Sequence, residues 1–317
     1  MVHSLEPLYP SSTLVAAAIA IAIALDVAYP EHRGIALRIH PVHTAFVLAR
    51  RLFKPYASRI RGVGIWFACV GSHMVLYAGT LYLASLDPTR IAWILAAAYV
   101  VKVSASIRLL IDIERRALHA LERGDLEEAK RWVQLVVRRD VRVLDEPHVV
   151  SAAIETLAES LVDGFTSPLL YAALLGPLGA LFQRLVNTMD GALGFRDPEF
   201  RDVGWFSARA DTVVNFVPAR LTAALIALIG GLYSHRARQA LRTWLRWCRA
   251  TESVNAGHPM AAMAGVLGVR LEKLGHYSLG EGPLPRPEHL RRAIVVAEVV
   301  ACIWLGATIV GLIATSL

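Results

Sequence analysis

The sequence predicts an all-α, polytopic helical membrane protein with about five or six transmembrane helices and cytoplasmic amphipathic helices. Three observations predict it. Of 317 residues 55% are hydrophobic and the mean hydropathy is +0.47, too apolar for an ordinary soluble domain. The apolar residues come in runs near the ~20 residues that cross ~30 Å of hydrocarbon. The formal charge of +7 is mostly arginine, with Lys only at 54, 102, 130 and 273, and most of these cations fall between the runs, as positive-inside topology requires. That placement explains the charge without nucleic acid as a partner.

The first run, Leu14 to Ala28, is short and carries Asp26 near its end. MVHSLEPLYP before it lacks a basic n-region, so no cleaved signal peptide is expected. The following loop holds Arg33, Arg38, Arg50, Arg51, Lys54, Arg59 and Arg61 and should be cytoplasmic. Within it, His40-Pro41-Val42-His43 offers either a ligand or phosphate contact or a bland pair of interfacial histidines. Runs Val63 to Leu86 and Ile91 to Leu109 meet at Asp87-Pro88 as an antiparallel hairpin. His73 inside them needs a partner, while Lys102 and Arg108 are expected to snorkel.

Residues 110–150 read as a cytoplasmic helical hairpin, broken at Gly124, with a capping-box-like start over Asp125 to Glu128 and an apolar face of Leu126, Ala129, Val133, Val136 and Val137. It ends in Arg138-Arg139-Asp140, facing either solvent or a site. Two further runs, Ser167 to Val186 and Val213 to Tyr233, flank a polar stretch. Segment 234–292 should be cytoplasmic or interfacial: Leu241, Trp244, Leu245 and Cys248 share one helical face and Arg238, Arg242, Arg246 and Arg249 the other, which suits the headgroup layer. After it, Gly265 and Gly268 in a small-residue helix predict close packing. The last run, Ile294 to Leu317, carries Glu298, an ionisable group in an apolar helix. Both segments belong to one integral-membrane domain, 1–317. Cys69, Cys248 and Cys302 lack pair or zinc spacing, and neither Gly-x-x-x-x-Gly-Lys nor Gly-x-Gly-x-x-Gly occurs.

Polar residues are densest from Ala153 to Arg220. Glu155, Glu159 and Asp163 recur every fourth residue with no Lys or Arg among them, so a helix would set them on one face about 5–6 Å apart. Asn187 and Asp190 follow, three apart, and then Arg209, Asp211, Asn215, Pro218 and Arg220. The three asparagines of the chain, Asn187, Asn215 and Asn255, all fall in polar clusters. Three acidic clusters with two arginines suffice for a metal and phosphate site, in an enzyme or equally in a polytopic transporter with an intramembrane acidic site.

Several long motifs in order decide between these: Asp26 and His40-Pro41-Val42, Arg139-Asp140, ETLAESLVDGFTSPLL, VNTMDGALGF, FSARADTVVNFVPARLT, and VNAGHPMAAMAGVLGVRLEK with Tyr277 and Gly280. Over nearly its whole length the chain resembles the integral-membrane adenosylcobinamide-phosphate synthases of cobalamin biosynthesis, known as CbiB or CobD. It departs from that pattern at Ala28-Tyr29-Pro30, Ser160, Arg184, Thr212 and Met260.

The resemblance implies an ATP-dependent amide synthesis joining the carboxylate of adenosylcobyric acid to the amine of aminopropanol phosphate or a close amino-alcohol phosphate. It implies ATP and Mg²⁺, a corrinoid substrate, contact with membrane lipid, association with other enzymes of the cobalamin pathway, and a multi-pass cell-membrane location with the site open to the cytoplasm. Glu155, Glu159, Asp163 and Asp190 are then the metal candidates. Asp211, Asp190 and Glu159 are the catalytic candidates, Asp211 as the base for the attacking ammonium. Arg209 and Arg220 would hold phosphates, with Asn187, Asn215, Asn255, His40, Arg139 and Asp140 as further substrate contacts. Roles among the acids are interchangeable at this level, and segment 187–212 is either re-entrant or external.

Overall fold

The computed structural model describes residues 7–316. Its helices are α1 (Ser12–Ala28), α2 (Ile35–Arg38), α3 (Pro41–Leu52), α4 (Arg59–Ala84), α5 (Ile91–Ser104), α6 (Arg108–Glu122), α7 (Leu126–Gln134), α8 (Glu146–Leu161), α9 (Ser167–Leu193), α10 (Trp205–Val214), α11 (Phe216–Ser234), α12 (Ala237–Trp247), α13 (Gly257–Leu267) and α14 (Pro287–Ala314). A π-helical turn, Val162–Thr166, joins α8 to α9. Among the described residues, four helical stretches are long and apolar enough to cross a membrane: Arg59–Ala84, Ile91–Glu122, Glu146–Leu193 and Pro287–Ala314. The broken pair α10 and α11 makes a fifth if it counts as one span. At 17 residues, α1 is shorter than a full crossing. The all-α, polytopic architecture therefore holds.

Polar caps start the helices where the sequence places them. Ser11, Ser58 and Asp145 accept the backbone N–H of Leu14, Arg61 and His148, satisfying donors that a first turn leaves open. Asp125 does the same for Glu128, and Gly124 at φ +76° ends the preceding helix, so the hairpin expected in 110–150 is α6 against α7.

The chain divides into two compact units. The first comprises Met1–Ser106, Asp163–Val214 and Leu305–Leu317, and the second Ile107–Val162 and Asn215–Trp304. In the first, α9 is the axis on which α1, α3, α4, α5 and α10 pack. Its core gathers Trp66, Cys69, Leu181, Leu185, Met189 and Leu193. Helix α9 outruns the span read from sequence and is kinked at Gly176 (φ 72°) before Pro177. Pro177 has no N–H for the carbonyl of Ala173, and the Tyr9 hydroxyl approaches that oxygen at 3.5 Å. A side chain at Gly176 would collide with the Tyr9 ring. The break between α10 and α11 repeats the device: Pro218 in the first turn of α11 cannot serve the carbonyl of Val214, which instead accepts from the Tyr171 hydroxyl at 2.9 Å.

The second unit packs α11, α12 and α13 on one another and sets α13 against α8. Helix α13 is buried along almost its whole length. A Cβ at Gly265 would lie 2.7 Å from the Cα of Ala240, so glycine is what lets α12 and α13 approach this closely. Gly268, by contrast, is the left-handed cap that ends α13. A hairpin absent from the sequence expectations follows, β1 (Leu271–Lys273) with β2 (Tyr277–Leu279), paired Leu271 to Leu279 and turning at Gly275. Its signal was present as Leu271, Lys273, Tyr277 and Leu279 alternating about a Leu-Gly-His turn, but three-residue strands are too short to stand out beside membrane helices.

Candidate functional site

Glu155, Glu159 and Asp163 do not share one environment. Glu155 is buried, Glu159 exposed and Asp163 half-buried. The regular helical line ends with α8, because Asp163 lies in the π-turn, a distortion frequent at functional sites. Nor is the stripe without a basic partner, as its own sequence implies: Arg139, from a loop 16 positions earlier, pairs with Glu155 at 3.0 Å. The Tyr277 hydroxyl donates to the same carboxylate at 2.7 Å, and Ser151 Oγ donates to its other oxygen at 2.7 Å. The backbone N–H of Glu272 in turn donates to Ser151 Oγ, so the hairpin and α8 fix the acid together. Burial, then the negative charge of Glu155, pushes the Tyr277 phenol far up and keeps it a donor. Asp140 turns outward to Arg142, whose hydrogen bonds hold its carboxyl down at about 2.

Elsewhere in the second unit Arg220 donates to Asn255 Oδ1 at 3.3 Å and to the Phe216 carbonyl at 2.6 Å, with its guanidinium over the Phe216 ring. Asn215 is wholly buried at the head of α11. His258 accepts from the Trp244 indole at 2.9 Å, and burial, then Arg220 and Arg249, lowers its imidazole to about 4.

In the first unit, polar groups from three segments form a relay. Arg184 donates to the Asp163 carbonyl at 3.3 Å and to Asn187 Oδ1 at 3.5 Å, and Asn187 donates to Asp211 Oδ1 at 3.2 Å. Helix α10 folds back along α9 to bring Asp211 there. Asp190 sits at the end of α9, half-buried, while Arg209 is exposed on α10. His40 caps α3, its Nδ1 accepting from Val42 N–H at 3.2 Å. Burial, then His32, Arg184, Lys102 and His43, drives that imidazole down to about 3. Being neutral with Nδ1 as acceptor, its proton is on Nε2.

Sequence reasoning missed part of this neighbourhood. Lys102, expected to snorkel, is buried, with Nζ 3.9 Å from Asp26 and 3.4 Å from His32 Nδ1. Ser106 donates to the same Asp26 at 2.5 Å, and the His32 and His40 rings meet edge to face at 4.6 Å. The signal was the pair of ionisable groups in apolar helices, which is costly unless partnered. The other membrane-depth groups are also accounted for: His73 lies 2.8 Å from Thr44 Oγ1, Glu298 pairs with Arg115 at 2.5 Å, and Arg108 with Asp112 at 2.9 Å.

Among the described residues no three His, Cys, Asp or Glu gather closely enough to hold a metal alone. Glu155 in particular has both oxygens engaged by protein donors. A Mg²⁺ carried on nucleotide phosphates needs only one or two carboxylates. Asp163, Asp190 and Asp211 of the first unit have that donor chemistry.

The family profile described as CobD/Cbib protein matches residues 19–304. The chain belongs to the CobD/CbiB family. It is 49% identical to a probable cobalamin biosynthesis protein CobD of Aeropyrum pernix, over 88% of this chain and 87% of that one. A protein of the same description from Pyrococcus furiosus is 35% identical over 87% of this chain and 91% of its own length. One from Thermoplasma acidophilum is 33% identical over 87% and 90%. No solved structure matches. Every site residue discussed for this CobD/CbiB chain lies inside the matched region.

Proposed function

We propose that this family member is an adenosylcobinamide-phosphate synthase, forming an amide between the free carboxylate of adenosylcobyric acid and an amino-alcohol phosphate such as aminopropanol phosphate. The observation that carries the reading is the family match over residues 19–304. The polar relay supplies matching chemistry. A carboxylate is a poor electrophile, and ATP with Mg²⁺ supplies the activation, an acyl phosphate whose phosphate leaves as the C–N bond forms. Of the metal candidates, Asp163 and Asp190 would hold Mg²⁺, with Glu159 retained as an alternative and Glu155 given a positioning role. Arg139, clamped by Glu155 at 3.0 Å, keeps further N–H donors for an anionic substrate group. Asp211, oriented by Asn187, takes the proton of the ammonium so that the nitrogen lone pair can attack. His40 donates from Nε2 to a phosphate or carboxylate oxygen without adding charge. The resemblance assigns phosphate groups to Arg209 in the first unit and to Arg220 with Asn255 in the second, where Asn215 heads α11.

The site opens to the cytoplasm in this reading, because loops 29–61, 110–150 and 234–292 carry the arginines and segment 187–211 folds back along α9. Purified protein should convert adenosylcobyric acid, ATP and aminopropanol phosphate to amide product with ADP and phosphate released. Asp211→Asn should lower turnover by about 10²–10⁴-fold. Substrate binding without any ATP-dependent product in the wild type would overturn the synthase reading in favour of a carrier.

A further inference from the structure

The α12 helix does not present the faces that its sequence spacing implies. Ala240, Trp244 and Cys248 turn inward against α11 and α13, and Leu241 and Leu245 are left 46% and 66% exposed. On a helix the two leucines then sit beside Arg238, Arg242, Arg246 and Arg249 on one outward strip. Between α12 and the end of α11 opens a cleft of about 990 Å³. Arg236, Arg238, Arg242 and Arg246 line it, with Glu281 as the acid among its described lining residues, paired to Arg246 at 2.7 Å. Gly231 and Leu232 form its far wall, and Leu232 ends the apolar segment Phe216–Leu232. The cleft therefore lies at the end of the apolar half of the fifth candidate span.

We propose that this cleft binds the phosphodiester of an anionic phospholipid, with Leu241 and Leu245 dipping beside the acyl chains. Charge complementarity and continuity with the span end select this occupant. Arginine forks match phosphate oxygens, and leucines that would be costly in water gain by entering the interface. A soluble phosphate compound would use the arginines but leave both leucines exposed.

The test uses the full chain, delipidated in detergent and offered an equimolar mixture of phosphatidylglycerol and phosphatidylcholine, with retained lipid counted by native mass spectrometry. Wild type should retain phosphatidylglycerol preferentially and lose the preference at high salt. Each arginine near a bilayer surface is worth about 5-fold, so Arg238→Gln, Arg242→Gln and Arg246→Gln together should reduce the preference by roughly 100-fold. The corresponding three lysine substitutions, which keep the charge, should preserve most of it and show that the fold survives. Leu241→Ser with Leu245→Ser should weaken retention of both lipids. A salt-insensitive wild type with no preference would overturn the proposal, as would displacement of the lipid by inorganic phosphate with the leucine variant unchanged.

Discussion

In the second unit Glu155 receives three protein donors at 2.7 to 3.0 Å, whereas in the first Asp26 and Lys102 stand 3.9 Å apart with His32 a further 3.4 Å from the amine. Both places hold charge away from water, which costs several kcal/mol per ion unless partners replace the solvent. The second unit closes that account with a hairpin, a tyrosine and a serine around one acid. The first sets the Ser106 hydroxyl at 2.5 Å and the Lys102 amine at 3.9 Å from Asp26, with His32 beyond the amine. A carboxylate engaged on both oxygens is a fixture of the fold, whereas Asp211 carries the proton transfer proposed above.

The largest expected effect separates these two roles. Glu155→Ala strips the counter-charge from Arg139 and the acceptor from Tyr277, so unfolding free energy should fall by about 3–5 kcal/mol. Asp211→Asn keeps its shape and its contact with Asn187 and should leave stability within about 1 kcal/mol, removing turnover alone. Thermal melts of both variants in one detergent, alongside product formation, make the check. If Glu155→Ala melts like wild type yet loses all metal-dependent activity, Glu155 belongs with the metal ligands after all.

The difference between the units also explains what was legible in the sequence. Helical class, the cap at Asp125, the amphipathic α6 and α7, and the small-residue packing of α13 follow from local composition and periodicity, and these appeared as expected. The family motifs supplied the candidate site residues. What stayed hidden depends on which distant side chain arrives: Arg139 at Glu155, Asp26 at Lys102, Tyr171 at the Val214 carbonyl. The inward rotation of α12 was hidden for a related reason. Its spacing allows either the Leu241/Leu245 edge or the Ala240/Trp244 edge to be covered, and Gly265 on α13 selects the second by admitting Ala240 at close range.

A smaller effect is expected at the loosely partnered pair. Lys102→Met leaves the buried Asp26 without that cation while Ser106 still donates to it, so the loss should be of the order seen for broken buried pairs, about 3 kcal/mol. Adding Asp26→Asn removes the orphaned charge and should recover most of it. A double-mutant cycle by denaturant unfolding would show the coupling as a difference between the sum of the single losses and the double. Strictly additive losses would mean that the two groups do not sense each other at 3.9 Å.

The most gradual effect is a pH dependence shared by both units, and it should not distinguish them. His40 is lowered to about 3 and His258 to about 4 from an ordinary 6.5, both chiefly by burial. Above pH 6.5 each ring is neutral in the folded and unfolded chain, so stability does not change with pH on their account. Below it the unfolded chain takes up protons that the folded one refuses, and stability falls by at most about 1.4 kcal/mol per pH unit for each ring. The decline should run from pH 6.5 down towards 4 and steepen where carboxylates begin to protonate. His40→Asn can still cap α3, because asparagine accepts the same N–H, so it should flatten half of that slope without much loss at neutral pH. His258→Gln should flatten the other half. Melting curves between pH 7.5 and 5 compare the three proteins, and an unchanged slope in both variants would place the pH dependence elsewhere in the chain.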